Sequence, residues 1–193
     1  MAEVKVLIEG YARESEEGFL ASSSVSLIRD NGKNIIVDPG INRPLLLEKL
    51  ESEGLTPADI DFVVLTHYHP DHSLLASIFE NAAILDNTTI FKNDCESDHG
   101  GVVPGTAVKI ISAPGHAHEH CVVLAETEKG KIVIAGDVFW WMDEENMKPG
   151  DIGFLLNRKD PYVKNEKALM ESRRKILEIA DYIIPGHGKM FEV

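Results

Sequence analysis

Residues 66–72 read Thr-His-Tyr-His-Pro-Asp-His, so three of the chain's eight histidines fall within seven positions, directly after an apolar run. Imidazole nitrogen and carboxylate oxygen are the donors that borderline cations such as Zn²⁺ accept. His67 and His69 are two residues apart, and in an extended loop their side chains project the same way. Pro70 then turns the chain, which aims Asp71 and His72 differently from the first pair. A single catalytic cation takes three protein donors and keeps one position open. Four donors in one loop, split two and two, therefore predict two half-sites rather than one.

Three later segments carry donor residues at the end of an apolar stretch: IISAPGHAHEH (110–120), KIVIAGDVF (131–139) and YIIPGHG (182–188). In two of them a Pro-Gly pair precedes the histidine, His116 or His187, and such a turn can hold an imidazole at a fixed angle. Asp137 follows Gly136 at a strand end, where its two oxygens could bridge two cations.

The elements that must position these loops are mostly strands. The pattern predicts strands at 4–9, 25–29 and 34–38, the last two joined by the hairpin turn Asp30-Asn31-Gly32-Lys33. A helix is expected over 43–53, with Pro44 near its start and Gly54 past its end. A continuous apolar strand at 61–66 reads as central and buried. Residues 72–79 read as the first turns of a helix. Further strands are expected at 82–86, 88–92, 108–112, 121–126, 131–136 and 182–185. A long helix is expected from Pro161 to Ala180, with Asp160 as its N-cap. Groups of strands with helices between them suggest two packed sheets with helices outside, a four-layer α/β arrangement. The strand ends can then open on one edge. The irregular stretches Asn93–Gly105 and Phe139–Asp160 are long enough to serve as lids.

The formal charge of −13 repels nucleic-acid phosphate and argues against a general DNA- or RNA-binding module. It leaves open a nuclease whose bound metal makes the cleft locally positive. No apolar run approaches the roughly 18 residues of a membrane span, and the N-terminus lacks a signal-peptide core. A cytoplasmic protein is expected. Cys95 and Cys121 have no CxxC spacing and predict neither a disulfide scaffold nor a cysteine-rich zinc site.

The HxHxDH stretch followed by later His, Asp and His residues resembles the metallo-β-lactamase-fold hydrolases. The likeness covers essentially the whole chain, residues 1–193, as one domain, including Val37-Asp38-Pro39-Gly40. Within that superfamily the spacing, the stretch GKIVIAGDVF, the helix with Ser172-Arg173-Arg174-Lys175 and the ending ADYIIPGHGKMFEV are similar to the metallo-β-lactamase domain-containing protein 1 group. The resemblance implies an αββα sandwich. It puts His67, His69 and His116 on a first metal, Asp71, His72 and His187 on a second, and Asp137 between them. Asp38 takes a place beneath the site, fixing the ligand loops. One departure is visible: Ser73-Leu74-Leu75 follows His72, where the family usually has a glycine.

The expected cofactor is a pair of divalent cations, zinc first, with iron or manganese as alternatives. Such a pair can share a hydroxide that attacks a carbonyl or phosphoryl centre, with Asp71 also orienting the nucleophile. The leading expectation is a hydrolase of a small ester, thioester or lactone. An RNA phosphodiesterase is the second reading, and a single-iron, oxygen-using enzyme on the same fold is the third. With six residues after His187, no helical domain of the glyoxalase II kind is expected, and His69 stands where flavodiiron-type proteins use glutamate. Tyr68, His99, His118, Trp140 and Trp141 are candidates for the substrate loops, with Tyr68, His118 and His120 also weighed as proton donors. The partner is expected to be a small molecule, with RNA second, no membrane, and a homo-oligomer left open.

Overall fold

The computed structural model describes every residue from Met1 to Val193. In chain order the elements are β1 (Glu3–Ile8), β2 (Tyr11–Ser15), β3 (Gly18–Ser22), β4 (Val25–Asp30), β5 (Lys33–Val37), α1 (Arg43–Ser52), β6 (Phe62–Val64), α2 (Pro70–Ser73), β7 (Ala83–Leu85), β8 (Thr89–Lys92), β9 (Cys95–Asp98), β10 (Lys109–Ser112), β11 (Cys121–Thr127), β12 (Gly130–Gly136), α3 (Ile152–Asn157), α4 (Glu166–Ile179), β13 (Tyr182–Pro185) and β14 (Phe191–Glu192). One sheet runs β1-β4-β5-β6-β7-β8-β9, a second runs β10-β11-β12-β13-β14, and β2 and β3 form a separate hairpin.

Successive side chains of a strand point to opposite faces, and here both faces of each sheet are covered. Ile35 and Val37 of β5 and Val64 of β6 meet Val123 of β11 and Ile132 and Ile134 of β12 in a core between the sheets. The alternate residues of the first sheet, Ile36 and Val63, face outward onto Leu46 and Leu50 of α1. Val122, Val133 and Ala135 of the second sheet face outward onto Leu155 of α3 and Leu169 and Ile176 of α4. The result is the expected helix-sheet-sheet-helix sandwich. No helix is long and apolar enough to cross a membrane.

Strand direction puts the donor loops on one edge. β5, β6 and β7 are parallel, and so are β12 and β13. β10 and β12 are both antiparallel to β11 and therefore run the same way. Asp38, His67, Asp137 and His187 each follow the carboxyl end of one of these co-directional strands, and His116 follows β10.

Several sequence expectations are corrected. Residues 72–79 are not one helix: α2 is a four-residue turn, and Leu74–Ile78 continue as a 3₁₀ helix. The amide of Leu75 donates to Gly40 O at 3.2 Å, so a tertiary bond replaces the α-helical one. The residues that stand in for the family glycine are accommodated there, with Leu75 buried under α1 and Leu74 exposed. The last long helix starts later than Pro161. Asn165 caps it through Ala168 N, while Gly115 O takes the amides of Lys164 and Asn165 at 2.8 and 3.0 Å. Asp160 is therefore not the N-cap. The irregular stretches contain β9 and α3, and the β2–β3 hairpin has no counterpart in the expected elements.

The layer between α4 and the loop after β10 is tight. A Cβ on Gly115, whose φ is +143°, would lie 2.3 Å from Leu169 Cα. Gly115→Ala is expected to cost roughly 3 kcal/mol through backbone strain and displacement of α4. Urea unfolding checks this, and an unchanged midpoint contradicts it.

Candidate metal centre

Four of the donor imidazoles are held through Nδ1, which presents Nε2 to a common space. Asp38 sits in left-handed backbone at φ +50°, just past β5. Its Oδ1 accepts from Thr66 N at 2.8 Å, and its Oδ2 accepts from Thr66 Oγ1 at 2.7 Å and from His72 Nδ1 at 2.8 Å. The Thr66 hydroxyl proton is thereby used, so this oxygen accepts from His67 Nδ1 at 3.0 Å. His116 Nδ1 donates to Asp160 Oδ2 at 2.6 Å. His187 Nδ1 faces two carbonyls, Tyr11 O at 3.0 Å and Ser22 O at 3.1 Å. Such outer contacts set the tautomer and ring orientation of a metal-binding histidine. His69 has no anchor of this kind; its Nδ1 lies 3.1 Å from His116 Nε2.

The donor atoms fall into two groups, each within 4.8 Å of one another: His67, His69, His116 and Asp137, and then Asp71, His72 and His187. Asp137 reaches both. Its Oδ2 is 3.3 Å from His116 Nε2 and 3.8 Å from His67 Nε2, and its Oδ1 is 3.1 Å from His72 Nε2 and 3.6 Å from His187 Nε2. Asp71 Oδ2 lies 3.2 Å from His187 Nε2. Gly186 allows the last loop to approach this carboxylate, because a Cβ there would sit 1.9 Å from Asp137 Oδ1.

Buried polar atoms without partners are rare, and each one calls for an explanation. His67 Nε2 is buried and makes no hydrogen bond, and His72 Nε2 and Asp137 Oδ1, also buried and 3.1 Å apart, have no partner other than each other. They face one another, and their chemistry suits cations. Burial drives His67 well below its ordinary pKa, which keeps its Nε2 lone pair free. His72 is the opposite case. Burial alone would lower it, but Asp137 and Asp38 together hold it well above the usual histidine range. Asp137 is held well below the carboxylate range, because His72 and His187 outweigh its burial.

A cavity of about 390 Å³ opens onto this cluster. His69, Asp71, Asp137 and His187 lie on it, and Phe19, Ile41, Trp140 and Tyr162 supply apolar and aromatic wall. No lysine or arginine lines it. Phe19 comes from the unexpected β2–β3 hairpin, and Tyr162 stands 5.8 Å from Trp140, ring to ring.

Of the residues predicted for the substrate loops, Trp140 alone lies on this wall. Trp141 packs against Phe191 in the outer core, with the ring centroids 5.8 Å apart. The Tyr68 hydroxyl donates to the Asp86 carboxylate, and burial and that carboxylate raise its pKa. His99 braces a turn, donating to Asp86 O at 3.1 Å and accepting from Gly101 N at 3.0 Å. His118 is exposed and does not line the cavity. His120 is buried, stacks on His67 at 4.8 Å and accepts from Asp137 N at 3.1 Å. Two partners of the cluster were not legible as such. Thr66 carried no signal beyond its adjacency to His67. Asp160 carried only a helix-cap signal.

Residues 19–86 match the model of the metallo-β-lactamase superfamily. Metallo-β-lactamase domain-containing protein 1 of Xenopus laevis is 33% identical over 201 residues, covering 98% of this chain and 81% of that protein. Among solved structures, a Thermotoga maritima protein described as a metallo-β-lactamase superposes with a TM-score of 0.70 at 22% identity, covering 100% of this chain and 99% of that one. AidC, a dizinc quorum-quenching lactonase, superposes with a TM-score of 0.61 at 15% identity, covering 89% of this chain and 74% of that one. The structural matches show the shared fold and the Xenopus relative shows the kinship: the chain belongs to the metallo-β-lactamase superfamily.

Proposed function

We propose that this chain is a dinuclear metal-dependent hydrolase of a small, uncharged ester, thioester or lactone. The observation that carries this reading is Asp137, whose two oxygens face two separate donor groups. His67, His69 and His116 would hold one cation with Asp137 Oδ2. Asp71, His72 and His187 would hold the other with Asp137 Oδ1. A cation pair in such a site supplies Lewis acidity and water ionised near neutral pH. Nitrogen and oxygen donors without thiolate suit zinc, and also iron or manganese.

The chain's own residues do the positioning. Asp38 and Asp160 keep the imidazole protons on Nδ1, so Nε2 remains a donor. Trp140, Tyr162, Phe19 and Ile41 give one side of the cavity an apolar and aromatic wall that suits an apolar group. A wall without cationic side chains favours a neutral acyl substrate over a phosphodiester. The fold accommodates such chemistry, since AidC is a lactonase. An RNA phosphodiesterase would be served by cationic side chains along the approach, and the cavity wall carries none besides the metal-donor histidines.

Elemental analysis of the purified chain is expected to find about two divalent ions, zinc foremost; a single iron contradicts the dinuclear reading. A substrate panel is expected to show hydrolysis of lactones or thioesters, and cleavage of single-stranded RNA alone would overturn the choice of substrate. His116→Ala or Asp137→Ala is expected to abolish that turnover with an unchanged circular dichroism spectrum.

Zinc affinity has a definite pH dependence. In the metal-free chain His72 holds its proton above the ordinary histidine pKa, so a cation taking Nε2 must expel it. Affinity therefore rises with pH, by about tenfold per unit for one proton released, until His72 is neutral on its own. Chelator competition from pH 6 upward checks this, and a flat profile counts against it. Asp160→Asn, which weakens the brace on His116, is expected to lower zinc affinity about 10- to 100-fold in the same assay.

A further inference from the structure

The stretch Ser172-Arg173-Arg174-Lys175 on α4 lies outside the reaction cavity, yet two of its side chains point into the protein. Ser172 and Arg173 are buried, with Arg173 only 2% exposed. Burial pulls the Arg173 guanidinium down to about 10, so it stays charged at neutral pH. A buried cation is expected to pair with a carboxylate. Arg173 instead donates to three backbone carbonyls: Nε to Val138 O at 2.9 Å, and Nη1 to Leu156 O at 3.3 Å and Arg158 O at 2.6 Å. Ser172 Oγ donates to Pro114 O at 2.8 Å.

Three of these four carbonyls lie within two residues of a functional residue. Val138 follows Asp137. Arg158 lies two residues before Asp160, which braces His116. Pro114 lies two residues before His116 itself. The same helix packs against Gly115 through Leu169. One turn of α4 therefore ties together the three loops that supply His116, its brace and the bridging carboxylate. The other donor group has different supports. His72 hangs from Asp38, and His187 hangs from Tyr11 O and Ser22 O, all in the N-terminal part of the chain.

We propose that Ser172 and Arg173 are positioning residues for the half-site of His67, His69, His116 and Asp137, and that the half-site of Asp71, His72 and His187 depends on them only through the shared Asp137. This rests on the dinuclear reading above. A planar guanidinium with fixed donors can hold two loops at once. A lysine keeps the charge and loses that geometry.

The test is Zn²⁺ binding by chelator competition, in two backgrounds that each leave one half-site. Arg173→Lys is expected to weaken zinc binding at least about tenfold in a His187→Ala background, where the first half-site remains. In a His116→Ala background, where the second remains, it is expected to have a several-fold smaller effect, passed on through Asp137 alone. Ser172→Ala is expected to act in the same direction and keeps the test alive should Arg173→Lys not fold. Arg174→Lys, an exposed neighbour, is the control. Equal weakening in both backgrounds, or none in either, overturns the proposal, because a merely structural role would lower the unfolding temperature without choosing a half-site. Failure of the dinuclear reading looks different: the unmutated chain would then bind fewer than two zinc ions.

Discussion

A carboxylate buried among imidazoles is the constraint on which the rest of this structure depends. Asp137 is 5% exposed and has no cationic side chain beside it except histidines. An unpaired buried charge is costly. The imidazoles around Asp137, His72 nearest at 3.1 Å, offset part of that cost, and divalent cations would do so more fully. Every nearby feature serves that arrangement. Gly186 permits the backbone to approach Asp137, His120 accepts its amide proton, and Asp38 and Asp160 turn the imidazoles toward it.

The sandwich supplies this constellation through strand direction. Donors at the carboxyl ends of co-directional strands from both sheets meet on one edge, although they lie more than a hundred residues apart in sequence. The supports also divide between the two halves of the chain. The N-terminal half holds Asp38, Thr66 and the carbonyls that orient His187. The C-terminal half holds Asp160 and the α4 side chains. Asp137 is where the two supports meet, so errors in either reach the same carboxylate.

Much of this was legible in the sequence because the donors sit in short loops after apolar strands, where side-chain type and spacing carry the geometry. The half-site split at Pro70 follows from an extended loop giving way to a helical turn, and the structure places the donors in those two groups. Other features were hidden for physical reasons. Tyr11–Ser22 is rich in Glu, Ser and Ala, with no apolar alternation to mark a hairpin, yet it forms a cavity wall. Asp160 before Pro161 carries the local signal of a helix cap, but Gly115 O captures the amides of Lys164 and Asn165 and the helix starts at Glu166. Tyr68, His99 and His118 have suitable side chains in nearby loops, but only tertiary packing decides that they do not line the cavity. The 3₁₀ turn of Leu74–Ile78 likewise depends on Gly40, remote in sequence.

In the dinuclear reading Asp137 joins two cation sites. Anomalous diffraction at the zinc edge, from crystals of the zinc-loaded chain, tests it most directly. Two peaks about 3.5–4 Å apart, one against each oxygen of Asp137, are expected. A single peak, or two peaks with Asp137 touching only one, would contradict it.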